Sequence, residues 1–234
     1  MSYPVSTQFD APQPPFARLC QSAMLVGRAI ANRQASSSSP SVVGHLASVS
    51  ALADELERFA TVLGTDDGAP LGSSSSLPRL LAPRCLTWSA IFVLLDPYCC
   101  PVVVSPEFGH GPVAESKTPE EMALQRRATN TVVAVVDQVH ISTRSILEAT
   151  GGSGPGAGDA KQLGRFCPLA LDAVYCSVAL FWWLCQEAGD EMERARQADV
   201  EACLERVGER WGLAREYLQL KAYHDDNGQC NTDG

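Results

Sequence analysis

No Cys-x-x-Cys pair occurs in this 234-residue sequence, although it holds nine cysteines. A zinc loop needs thiolates or imidazoles at such short spacing, so a structural zinc site of the usual kind is excluded. Cys99 and Cys100 are adjacent, which seldom lets both thiolates reach one metal. Cys167, Cys176 and Cys185 stand nine apart, which turns successive side chains about half a turn away from each other on a helix. Gly-x-Ser-x-Gly is also missing, since Ser153 has Pro155 where the second glycine belongs, so no hydrolase elbow is present. The glycine-rich stretch 151–158 has no Lys-Ser or Lys-Thr and follows a helical pattern rather than a strand, which makes it a linker and not a phosphate loop. No cluster of Lys and Arg interrupts a formal charge of −9, a surface that repels phosphate backbones and argues against direct nucleic-acid contact. The longest apolar run, around Ile91 to Leu95, stops at Asp96-Pro97 and is too short to span a bilayer. The first residues have neither a positive region nor an apolar stretch, so the sequence predicts a soluble, intracellular protein without a signal peptide.

What is present is helical periodicity. Hydrophobic residues make up 45% of the chain, enough to build a core. Residues 1–14, rich in Pro, Ser and Gln, are expected to be a disordered arm, and 15–222 a helical domain. Phe16, Leu19, Cys20, Ala23, Val26 and Ile30 form the first apolar stripe, on a helix over about 15–33. The second seam runs through Val42, Leu46, Val49, Ala53, Leu56, Ala60 and Leu63, with Ser41 as its cap and Gly64 as its stop. A third stripe, Leu81, Cys85, Trp88, Phe92 and Leu95, is apolar nearly all round, which places its helix in the middle of a bundle and ends it at Asp96-Pro97. Thr118-Pro119-Glu120-Glu121 is a capping box. It starts a helix over about 119–149 that overrides the strand preference of the β-branched run Thr131 to Val136. A fifth helix starts near Pro168 and buries Leu171, Val174, Tyr175, Val178, Phe181 or Trp182, and Cys185. The last carries Val200, Cys203, Leu204, Val207, Trp211, Ala214 and Leu218, and a polar tail over 223–234 is expected to be disordered. The expected fold class is therefore all-α: an irregular bundle of about six or seven helices with long Gly/Ser/Pro-rich linkers near 34–41, 65–78, 98–117 and 151–164.

The remaining reactive side chains have ordinary explanations. Cysteines within apolar runs, Cys20, Cys85, Cys176, Cys185 and Cys203, read as reduced, buried filler. His45, His110, His140 and His224 are scattered, and a hydrogen-bonded structural role suits His140 better than a ligand's. Glu187, Asp190, Glu191 and Glu193 gather at a helix start, where the dipole favours negative charge. Of the pair Trp182-Trp183, one indole is expected in the core and the other on a contact surface. No catalytic residue, metal ligand or cofactor is assigned. A ligand cavity, if present, is placed near Trp88, Phe92, Phe181 and Trp182, because pockets are mostly apolar and aromatic-lined.

Several segments together resemble the regulatory domain of fungal zinc-cluster transcription factors, the fungal-specific transcription factor domain or middle homology region. They are Phe16-Ala17-Arg18-Leu19-Cys20-Gln21-Ser22-Ala23 with Leu25, Gly27 and Arg28; Leu86-Thr87-Trp88-Ser89-Ala90-Ile91 with Leu94 and Leu95; and Cys167-Pro168-Leu169 with Tyr175, Gly189-Asp190, Arg210-Trp211, Ala214, Tyr217 and Leu218. They follow the family's order over about 16–222 and are similar to the C-terminal portion of its domain. The resemblance implies an all-α module that regulates transcription in the nucleus, with secondary metabolism as a setting. Its partners would be other protein domains, the transcription machinery or a small-molecule effector. The family's six-cysteine zinc cluster, basic linker and coiled coil have no counterpart here, so DNA binding is not carried over. Two other readings stand beside it: a helical scaffold or interaction protein, and a helical-bundle enzyme acting on an apolar metabolite. The enzyme would be expected to show an Asp-Asp-x-x-Asp motif, which Asp225-Asp226 in the polar tail does not supply.

Overall fold

A computed structural model describes residues 9, 11–35, 42–66, 77–99, 117–150, 163, 166–188 and 191–229. Among them are seven α-helices, one short 3-10 turn and no strand, which bears out the all-α expectation. The helices are α1 (Pro15–Ala35), α2 (Val42–Asp66), α3 (Leu81–Cys99), α4 (Pro119–Thr150), α5 (Leu171–Ala188), α6 (Glu191–Gly208) and α7 (Gly212–Gln229), with the turn at Pro168–Ala170 leading into α5. Most of the expected linkers, the Ser41 cap, and the glycines of 151–158 lie outside the described residues.

The architecture is organised around α3. Trp88, Ile91, Phe92, Leu94 and Leu95 are each less than 5% exposed. Because they point in every direction around the axis, no single neighbour can cover them. Accordingly α1, α2, α4, α5 and the 3-10 turn all pack on α3, while α6 lies against α4 and α5, and α7 against α6 and α5. The helix runs past its expected stop at Asp96-Pro97 and ends at Cys99. A proline near the end of a helix removes only one backbone bond, and tertiary contacts hold the extra residues. Thr129 donates to the Cys99 carbonyl at 3.4 Å, and the Tyr98 hydroxyl meets His45 Nε2 at 3.0 Å.

The capping box that starts α4 is formed as the sequence reads. The Glu121 amide donates to Thr118 Oγ1 at 3.2 Å, and the Thr118 amide donates to a Glu121 carboxylate oxygen at 2.7 Å. The β-branched run is helical because Val132, Val135 and Val136 lie on the buried face of a helix thus nucleated.

Helix α1 reverses the expected facing. Its buried residues are Arg18, Gln21, Ser22, Leu25 and Ala29, whereas Phe16 is 75% and Ile30 43% exposed, and Cys20 and Ala23 are also exposed. The reason is Arg18, whose side chain is wholly buried. Its Nε and Nη2 donate to Asp66 Oδ2 at 2.8 and 2.6 Å. Its Nη1 donates to the Phe9 carbonyl at 2.9 Å and to Gln21 Oε1 at 3.0 Å, and its Nη2 to the Ala11 carbonyl at 3.0 Å. All five guanidinium donors are thereby satisfied, and the cation lies 5.7 Å from the centre of the Phe59 ring. Beside it, Ser22 donates to the Pro83 carbonyl at 2.9 Å, joining α1 to the start of α3. A polar interior of this kind outranks the hydrophobic stripe because every polar atom named in it has a partner.

The same cation corrects two further expectations. Residues 9 and 11–14 do not form a free arm: Phe9 is 1% exposed and meets Phe59 with ring centroids 4.6 Å apart. Nor does Gly64 stop α2, which continues to Asp66, the carboxylate that Arg18 holds. At the other end of the chain, the single last helix expected from the stripe Val200 to Leu218 is two helices. A tight turn after Gly208, with the Trp211 amide donating to the Val207 carbonyl at 2.9 Å, separates α6 from α7. A Cβ on Gly208 would approach Arg215 Cγ to 3.0 Å, so any larger residue there would crowd the Arg215 side chain. Helix α7 then reaches Gln229, well into the segment expected to fray, after Tyr217 stacks on Tyr175 of α5 with centroids 4.4 Å apart.

Two substitutions test this arrangement. Arg18→Lys keeps the charge but offers three donors in place of five, so it is expected to lower stability by about 1–3 kcal/mol in a urea titration. Unchanged stability would contradict the bonding described. On the same helix, Phe16→Ser is expected to stay within about 0.5 kcal/mol of the parent. Leu25→Ala, on the buried face, should cost about 2–5 kcal/mol. The opposite order would restore the facing read from the stripe.

Candidate functional site

A feature with the shape of a binding site arises from the way α2 and α4 lean on α3. The two helices meet each other only sparsely and leave an open groove of about 710 Å³ between them. That volume lies within the usual range for small-molecule sites. Trp88 and Ile91 of α3 and Val135 of α4 form its apolar floor. Small residues, Ala60 and Gly64 on α2 and Ala134 on α4, keep the walls apart. Uncharged polar side chains stand along the rim, Thr61 and Thr65 on one side and Asn130 and Gln138 on the other. Asn130, Ala134 and Gln138 recur every four residues and so line up along one helix face.

Two charged residues also border the groove, and each is bound to neighbours. Arg84, 4% exposed, donates through Nη2 to the carbonyls of Leu63 and Gly64 at 3.1 and 3.3 Å. These are C-terminal carbonyls of α2 that lack helical partners, and a cation there is also favoured by the helix dipole. Glu57 accepts from Thr131 Oγ1 at 2.9 Å and pairs with Arg127 Nη2 at 3.1 Å. Arg127 bridges further, to Asp54 at 2.6 Å and to the Ser50 hydroxyl at 3.0 Å, and so fastens α4 to α2 at one end of the groove. Burial works against its charge, but the hydrogen bonds it donates to Asp54 and Glu57 outweigh that and hold its pKa above the usual guanidinium value.

Of the four residues placed near a cavity from the sequence, only Trp88 lines this groove. Phe92 and Phe181 fill the core, Phe181 with its ring edge-on to His140 at 6.1 Å, and Trp182 stands outside at 49% exposure. Trp183 is half-buried rather than fully in the core. The polar residues of the groove were not singled out from the sequence. The signal available for them was the Asn130-Ala134-Gln138 row, a polar and small face on an otherwise valine-rich helix.

The other reactive side chains lie apart from the groove's floor. His140 Nε2 meets Asp199 Oδ2 at 2.9 Å and links α4 to α6, and His45 is bonded to Tyr98. His110 lies outside the described residues, as does the side chain of His224. Near the start of α6, Glu193 pairs with Arg196 at 3.4 Å, and Arg196 also reaches Asp137 at 2.6 Å, while Asp190 and the side chain of Glu187 lie outside the described residues. Burial pushes the thiols of Cys176 and Cys203 up to about 12, and that of Cys85 higher still. They therefore stay protonated and are poor nucleophiles at neutral pH. Cys20, expected in an apolar interior, is exposed on the outer face of α1. Among the described residues no group of three or more His, Cys, Asp and Glu is placed to hold a metal ion, and no helix is long and apolar enough to cross a membrane.

Thiol accessibility gives a direct check on these placements. In the native protein at pH 7.5, iodoacetamide is expected to alkylate Cys20 within minutes. Cys85 and Cys203 should react only after denaturant is added, as read by peptide mapping. Native labelling of Cys85 at the rate of Cys20 would contradict the packing of α3.

No protein-family model, curated protein or solved structure matches this chain.

Proposed function

We propose that the chain is a regulatory module of the fungal transcription-factor type, acting in the nucleus through contacts with other protein domains and through occupancy of the groove between α2, α3 and α4. The resemblance read from the sequence motivates the class, and the all-α architecture is the one it implies. The observation that carries the regulatory part is where the groove opens. Its floor is α3, the helix on which α1, α2, α4 and α5 all pack. An occupant bearing on Trp88 and Ile91 therefore touches the element through which most of the bundle is connected. A ligand shifts a conformational equilibrium only through differential contact with the two states, and a site on the shared helix supplies such contact. In this reading the module makes no direct nucleic-acid contact, in keeping with its charge of −9.

A second reading, an interaction scaffold, is favoured by one observation. The outer face of α1 presents Phe16, Cys20, Ala23 and Ile30 to solvent in the rhythm of a helix–helix seam.

The test fuses the whole chain between an unrelated DNA-binding domain and an activation segment in a fungal reporter strain. A regulatory module is expected to change reporter output about fivefold or more, the scale of a coupling of 1 kcal/mol. Equal output with and without the chain, at equal protein abundance, would refute the reading. If only Phe16→Ser with Ile30→Ser abolishes the effect, the scaffold reading replaces the groove.

A further inference from the structure

We propose that the groove takes a neutral, mainly apolar small molecule that carries hydroxyl or carbonyl groups near its ends. This rests on the groove being the effector site of the regulatory reading above and goes further in naming the chemistry of the occupant.

The charges decide the class. Glu57 and Arg84 are the charged residues among those bordering the groove. Glu57 accepts from Thr131 and is paired with Arg127, and Arg84 is bound to the last carbonyls of α2. A carboxylate or phosphate ligand would find as its cation only Arg84, which is 4% exposed and whose Nη2 already serves those carbonyls. An ammonium ligand would find Glu57, whose charge is already offset by Arg127 and whose Oε1 accepts from Thr131. In both cases the counter-charge is already engaged, while the ligand's own charge must be removed from water. A neutral ligand incurs none of this.

The walls decide its shape. Trp88, Ile91 and Val135 offer apolar contact below, and the small side chains of Ala60 and Ala134 leave width for a ring system. A Cβ placed on Gly64 meets nothing within 4 Å, so the space beside α2 is unfilled there. Along α4, the amides of Asn130 and Gln138 stand eight residues apart, which is roughly 12 Å on a helix. Amides and threonine hydroxyls both donate and accept, so they suit hydroxyl and carbonyl groups equally. The fitting occupant is an elongated, uncharged molecule of drug-like size with a polar group toward each end.

The test uses two dyes that share one aromatic frame and differ in charge, N-phenyl-1-naphthylamine, which is neutral, and 8-anilinonaphthalene-1-sulfonate, which is anionic. In fluorescence titrations of the full chain, the neutral dye is expected to saturate at one per chain and to bind at least tenfold tighter than the sulfonate. Ala134→Trp on one wall and Thr61→Trp on the other, both at exposed positions, are expected to weaken the neutral dye at least tenfold with an unchanged far-ultraviolet spectrum. Two independent plugs keep the test usable if one variant does not fold. No saturable binding of the neutral dye, equal binding of the sulfonate, or undiminished binding by both folded variants would each overturn the proposal. Dye binding with a silent reporter removes the regulatory reading and leaves the groove's ligand class standing. A responsive reporter without dye binding does the reverse.

Discussion

A helix with no polar face is stable in water only when other elements surround it, and α3 is such a helix. Trp88, Ile91, Phe92, Leu94 and Leu95 leave no side of it suited to solvent. The need to enclose it decides where α1, α2, α4 and α5 lie. Each full burial of a large apolar side chain removes about 1.5–3 kcal/mol worth of exposed surface, so this one element outweighs any surface ion pair in the molecule. It also produces the groove, because two of the enclosing helices, α2 and α4, do not quite meet over Trp88.

The polar interior works in the same direction. Arg18 and Arg84 both converge on the C-terminal end of α2, one through Asp66 and the other through the carbonyls of Leu63 and Gly64. The end of a helix exposes carbonyls and negative partial charge, so two buried guanidinium groups find partners there that hydrophobic residues could not provide. Arg18 additionally gathers the carbonyls of Phe9 and Ala11, and Phe9 packs into the core. Burying a charge this deeply is tolerated only with complete hydrogen bonding. The result is a joint between α1, α2 and the N-terminal segment that specifies geometry more tightly than apolar contact does.

The consequence for α1 is an inward face that mixes Arg18, Gln21 and Ser22 with Leu25 and Ala29, and an outward face that leaves Phe16 and Ile30 exposed. The groove and this outer face are separate features on different helices. The groove is bounded by amides, hydroxyls and two charges already engaged by neighbours, whereas the outer face of α1 is an apolar strip open to solvent. In the regulatory reading proposed above, they are the places where a small molecule or another protein would bind.

Much of the secondary structure was legible in the residues alone. The capping box at Thr118, the apolar seam of α2 and the all-round apolar character of α3 act over a few residues, and local chemistry is enough to decide them. The facing of α1, the continuation of α2 past Gly64 and the placement of Phe9 depended on residues far apart in the chain, whereas the break between α6 and α7 is set locally by the close return at Gly208. Arg18 and Asp66 are 48 positions apart, and no periodicity reports that they meet. The groove belongs to the same class: Trp88 was recognisable as a cavity residue, but Thr61 and Gln138 come together around it only after three helices have packed. Hydrophobic pattern alone determined which stretches are helices and which of them must be central. Long-range pairing of buried charge decided which face of a helix turns inward, because a satisfied guanidinium group can outweigh a stripe of small apolar side chains.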